Sequence, residues 1–229
     1  MTLSSTDRTR HRRLKENGRT DRADLFEVLR AGFVCHLGVI VDGTPMVVPT
    51  VYGFDASSLY FHGSVASRSL TGSTEVCVTV THVDGLVIAR SVFEHSVNYH
   101  SAMIYGVPRP LAGAEKLDAL RILSEHSAPG QWDYARQPSR KELAATTILA
   151  LSLDEASVKI SSGDPEDAGA GDDLLPDGSY RWAGVIPVST AWGTPLPDAA
   201  LPEGIDTPEH LIRFGRNRNQ SMVIGQEGT

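Results

Sequence analysis

The stretch that decides the fold runs from Phe33 to Phe54, FVCHLGVIVDGTPMVVPTVYGF. Two runs rich in Val, Ile and Thr flank Asp42-Gly43, and neither shows a helical period. An Asp-Gly dipeptide between such runs is the strongest short-range signal of a β-hairpin, because both central residues must take φ > 0. Further runs of the same kind follow: SLYFHG at 58–63, EVCVTVTHV at 75–83, GLVIARSVF at 85–93 and SAMIYGVPRPL at 101–111. A second Asp-Gly, Asp84-Gly85, separates two of them and reads as a second hairpin turn. Parallel neighbours would need crossovers of about a dozen residues, so the strands are expected to be antiparallel. Six strands in so short a span predict a sheet curled to hide its edges, and runs apolar on both faces predict cover on the outside as well.

Helices are few. TDRADLFEVLRAG at 20–32 has Thr20 or Asp21 as N-cap, Leu25, Val28 and Leu29 on one face, and Gly32 as the stop. GAEKLDALRILSEHSAPG at 113–130 places Leu117, Leu120 and Leu123 at helical spacing and ends at Pro129-Gly130. TTILALSLDEASVKISSG predicts one or two closing strands, WAGVIPV a last one, and DTPEHLIRF a small helix capped by Asp206 or Thr207 with Pro208 in its first turn. The boundaries expected are a basic arm at 1–19, one domain at 20–214 and a flexible tail at 215–229.

Composition excludes several classes. With 229 residues and a net charge of −7, the chain lacks the positive surface that nucleic acid requires. No apolar run is long enough for a membrane-spanning helix and the N-terminus lacks the apolar middle of a secretory signal, so a cytoplasmic location is expected. Cys35 and Cys77 lie inside apolar runs and read as buried, unreactive thiols. No metal site is expected: His95 and His100 sit at odd spacing in a turn and a strand, which sends them to opposite faces. The chain has no dinucleotide fingerprint, nucleophile elbow or zinc-protease motif. Two charge clusters, Arg8 to Arg22 and Asp164 to Asp177, read as solvated, partly disordered segments.

One stretch carries chemistry of its own. LYFHGSVASRSL at 59–70 ends a strand at His62, breaks at Gly63, and offers Ser64, Ser67 and Arg68 at the start of a helix-forming run. Unpaired N–H groups at a helix start favour an anion, and the Arg68 fork can grip phosphate bidentately. A phosphate cradle and a capped surface helix are the two readings of these residues.

HGSVASRSL, then VCVTVTHVDGLVIARSVFEHSVNYHSAMIYG, KISSGDPED and WAGVIPV in that order, resemble the flavin-nucleotide-binding branch of the pyridoxamine 5'-phosphate oxidase-related family over about residues 8–205. The resemblance implies a mainly β fold, a six-stranded antiparallel split β-barrel with flanking short helices. It also implies a homodimer with FMN at the subunit interface and a small-molecule substrate or reductant. Carried onto this chain, Val48, Pro49, Thr50 and Val51 would present backbone groups to the flavin ring, and His62, Gly63, Ser64, Ser67 and Arg68 would hold its phosphate. Asn98, Tyr99 and Ser101 would line the groove, Lys159 would supply positive charge, and Trp182 would close it. Relatives often carry arginine where this chain has His100, and a basic residue near Ser161, where Lys159 alone remains. The function implied is an FMN-dependent oxidoreductase; a non-catalytic flavin- or haem-binding module is the alternative.

Overall fold

The structure is a computed structural model that describes residues 2–64, 74–169, 171 and 173–215. Its elements in chain order are β1 (Gly18–Arg19), α1 (Arg22–Ala31), β2 (Val34–Val41), β3 (Thr44–Phe54), β4 (Ser58–Ser64), β5 (Val76–Ile88), β6 (Ser96–Gly106) and β7 (Arg109–Pro110), followed by α2 (Gly113–Ser127), α3 (Gln131–Tyr134), α4 (Arg140–Ala145), β8 (Thr146–Ser152), β9 (Ala156–Ser161) and β10 (Gly184–Pro187). The described residues thus form ten strand segments, where the resemblance implies a barrel of six and the sequence runs predict eight or nine. Part of the difference is short pieces: β1 and β7 have two residues each and β10 has four.

Chain contacts divide the molecule into two units, one of residues 1–32, 78–104 and 154–189, the other of 33–77, 105–153 and 190–229. In the second, Asp42 (φ 50°) and Gly43 (φ 76°) form the left-handed turn their identities require, and β2 and β3 pair antiparallel from Val41↔Thr44 to Val34↔Val51. This register sends Cys35, Leu37 and Val39 into the core and turns Val34, His36 and Ile40 the other way. β3 continues to β4, β4 to β8 and β8 to β7, all antiparallel. On β8 the residues Ile148 to Leu151 are buried on both faces, as the sequence predicted for covered strands. The cover on one face is α2, whose Ala119 and Leu123 pack with Leu111, Ile148 and Ala150. Leu117, expected on that face, is exposed, and Ala119 takes the buried position instead.

In the first unit the strand order is β1-β9-β6-β5, with β10 against the end of β5. Asp21 caps α1, its carboxylate accepting from the Ala23 N–H at 3.0 Å, and Leu25, Val28 and Leu29 are fully buried. Asp84-Gly85 is not a turn. It lies inside β5, where Gly85 pairs with Pro187 and a Cβ at Gly85 would stand 2.6 Å from Val185 Cγ1. Glycine here serves close approach of a neighbouring strand, a role that the dipeptide alone does not distinguish from a turn.

The two charge clusters are also tied down. Arg8 grips Glu155 with Nη2···Oε2 2.6 Å, Thr6 Oγ1 donates to the same carboxylate at 2.7 Å, and His11 Nε2 donates to the Val158 carbonyl at 3.0 Å. Leu3 and Thr9 are buried. Residues 209–215 are helical, with Pro208 one residue ahead of the first turn rather than in it. Residues 216–229 of the expected tail lie outside the described residues.

Gly53 packs directly on α2: a Cβ there would meet Leu123 Cα at 2.8 Å and the Ile122 carbonyl at 2.9 Å. Gly53→Ala should therefore cost about 1–3 kcal/mol or more, because backbone cannot yield as a side chain can. Thermal or denaturant unfolding measures it, and an unchanged midpoint would refute this packing.

Candidate functional site

The candidate residues fall on two surfaces, one in each unit. In the 33–77 unit, Val48 to Val51 lie on β3 opposite Leu37, His36, Cys35 and Val34 of β2. Tyr52 N–H donates to the Phe33 carbonyl at 3.0 Å, and pairing alternates from there, so Thr50 and Val48 turn their backbone groups toward β2. Pro49 and Val51 turn theirs to the other edge, which β4 occupies only from Tyr52 onward. Pro49 suits that edge because it has no N–H to leave unpaired. The Tyr52↔Phe61 pairing engages the Val51 carbonyl with the His62 N–H, which leaves the Val51 N–H to offer to a polar ligand edge.

His62, Gly63 and Ser64 also lie in this unit, but not in a turn. β4 runs through them, pairing them with Ile148, Thr147 and Thr146 of β8. The expected break at Gly63 is therefore corrected: the β8 ladder extends the strand by two residues beyond His62. Ser67 and Arg68, the centre of the expected cradle, lie outside the described residues.

On the other surface, β6 and β9 place Tyr99 opposite Ser161 and Ser101 opposite Lys159, all on one face. Lys159 Nζ stands 5.4 Å from the centre of the Tyr99 ring, a cation–π contact, and forms no ion pair among the described residues. The Asn98 amide donates to the Gly163 carbonyl at 2.9 Å, and Trp182 is 65% exposed. The opposite face of the same strands holds groups that spacing does not bring together. His100 Nδ1 donates to Asp84 Oδ2 at 2.8 Å, and its ring lies 4.8 Å from that of His82. His82 Nε2 donates to the Val28 carbonyl in the last turn of α1 at 3.2 Å.

The acidic loop is anchored beside this surface. Asp167 accepts from the Ser91 N–H at 2.8 Å and from Arg90 Nη1 at 3.2 Å, while Arg90 Nε lies 2.9 Å from Asp173. The Ser91 N–H, with Arg90 after it, holds the Asp167 carboxyl below its ordinary range. The expectation of a solvated segment is corrected at this point, for Asp167 is buried. Cys35 is buried and its thiol is pushed up to about 12 by desolvation, which makes it inert; Cys77 is only half-buried.

This mainly β, antiparallel architecture is of the split-barrel class rather than a doubly wound nucleotide fold. The family model described as pyridoxamine 5'-phosphate oxidase matches residues 21–160, and the chain belongs to that family, with its split-barrel fold. The structure of the flavocytochrome Anf3 from Azotobacter vinelandii resembles it with a TM-score of 0.84 and 33% identity, over 91% of this chain and 96% of that one. The FAD- and haem-binding protein from Mycobacterium smegmatis resembles it with a TM-score of 0.78 and 34% identity, over 87% and 97%. No curated protein matches the sequence.

Asp167→Asn tests the loop anchor. A carboxyl whose folded value is depressed contributes stability above its ordinary range, and that contribution is lost as pH falls through the depressed value. The variant should be less stable than wild type at neutral pH, and the gap should close below about pH 4. Thermal unfolding as a function of pH measures it; parallel curves would refute the anchor.

Proposed function

We propose that the protein binds a flavin nucleotide and uses it in redox chemistry on a small molecule, as a homodimer in the cytoplasm. The observation that carries this reading is the end-to-end likeness to two proteins named a flavocytochrome and an FAD- and haem-binding protein. The residues present suit the group. Val51 offers its N–H at the point where β4 begins to pair with β3. Lys159 has no carboxylate partner among the described residues and stands beside Ser101 and Ser161 on one face. In this reading Val48 to Val51 face the polar edge of the flavin ring, His62 to Arg68 and Lys159 neutralise its phosphate, and Asn98, Tyr99, Ser101 and Trp182 line the site. Bound flavin would supply hydride or electron transfer, and the protein would orient the partner molecule and tune the ring. No described helix is long and apolar enough to cross a membrane.

The same two names favour haem as a second group in this chain. The resemblance implies FMN, whereas the mycobacterial protein is named for FAD. Mass spectrometry of whatever leaves the denatured protein identifies the flavin, and the visible spectrum reports both groups. Lys159→Ala and Arg68→Ala should each weaken flavin binding about ten- to a hundredfold, the worth of one charge-assisted hydrogen bond. A protein that neither retains nor binds FMN or FAD would overturn the reading. Flavin without turnover of NADH, NADPH or another reductant would leave a binding module.

A further inference from the structure

We propose that His36 is a haem iron ligand and that the outward face of the β2–β3 hairpin is the seat of the porphyrin. The proposal rests on the haem reading above and gives it a place in this chain. On that face Val34 stands opposite Val51, His36 opposite Pro49, Gly38 opposite Val47 and Ile40 opposite Pro45. Apart from His36, every side chain there is apolar, and none is charged. Val34 is 43%, Ile40 54% and Val47 66% exposed, so the apolar carbons flank the imidazole at solvent. An exposed apolar patch of this kind marks a binding surface. One with an imidazole at its centre fits a flat, apolar, iron-bearing ring, since neutral histidine is the commonest protein ligand of metals and a regular axial ligand of haem.

The other histidines are committed or badly seated. His11 and His82 donate through Nε2 to backbone carbonyls, and His210 donates through Nε2 to Gln131 at 3.0 Å. His126 is held between the rings of Tyr52 and Phe54. His95 Nδ1 accepts from the Ala89 N–H at 3.1 Å, which places the ring proton on Nε2 and leaves no lone pair for iron. His100 keeps Nε2, but its ring is largely buried and stacked on His82, with no open apolar face beside it. His62, like His36, has no hydrogen bond or ring contact among the described residues. It stands at the β4 margin of the same face, next to Val51, but its other neighbours there are Tyr60, Ser64, Ile148 and Thr146, and none of these four is an exposed apolar side chain.

Hemin titration of the full-length protein, followed by the Soret band, tests this. Wild type should bind, and His36→Ala should bind at least roughly tenfold more weakly, since even outer-shell changes at metal sites cost that much. His36→Gly should regain the wild-type spectrum when free imidazole is added, which a structural role would not produce. His95→Ala and His100→Ala should keep it. Because His36 is exposed, thermal unfolding of its variants should match wild type. A wild-type spectrum in His36→Ala would overturn the ligand assignment and leave the haem reading standing; a wild type that binds no hemin would overturn both. Val47→Lys should also weaken hemin binding. If instead it splits a dimer into monomers while hemin binding persists, the face is a contact between two copies and the proposal fails.

Discussion

The left-handed Asp42-Gly43 turn sets the register on which this structure depends. Side chains on a strand alternate with a period of two, so a slip of one residue would exchange the two faces of the hairpin. Cys35, Leu37 and Val39 would go to solvent, and His36 would be driven inward with no partner for its ring. The register also decides which backbone groups of β3 are spent on β2. Because Thr50 faces β2, the Val51 N–H is left to face the open edge. One tight turn therefore positions a core, an edge suited to a polar ligand and an apolar outer face.

Each element around the hairpin adds to that division. The backbone of α2 lies against Gly53 and covers the sheet at its Phe54 end, while the Pro45 end stays open. The burial of Ile148 and Ala150 on one face of β8 follows from the same cover. Charge plays a different part: the Arg8–Glu155 and Arg90–Asp167 pairs act as fasteners for the basic arm and the acidic loop. Pairs of this kind contribute little energy when exposed, but they hold a segment in one place. The loop so held leads directly to Trp182 and β10.

No group of three or more potential metal ligands occurs among the described residues. The His100–Asp84 couple is the nearest thing to a proton relay among them.

What the sequence by itself determined is what local chemistry dictates: the hairpin at Asp42-Gly43, the capped helix after Asp21, the antiparallel strands and the family. Turn geometry, capping and strand period act over a few residues, so they can be read in order along the chain. The tertiary structure alone decided the rest. Asp84-Gly85 carries the same letters as the true turn, yet β10 packs against it and keeps it extended. Strand pairing carries β4 through Gly63, and the charged arm and loop are pinned by partners far away in sequence, Glu155 and Arg90. His36 looked like one more residue of an apolar strand until the pairing of β2 with β3 showed which side it takes. Long-range pairing chooses among conformations that local propensity leaves nearly equal in energy, and no spacing along the chain records that choice.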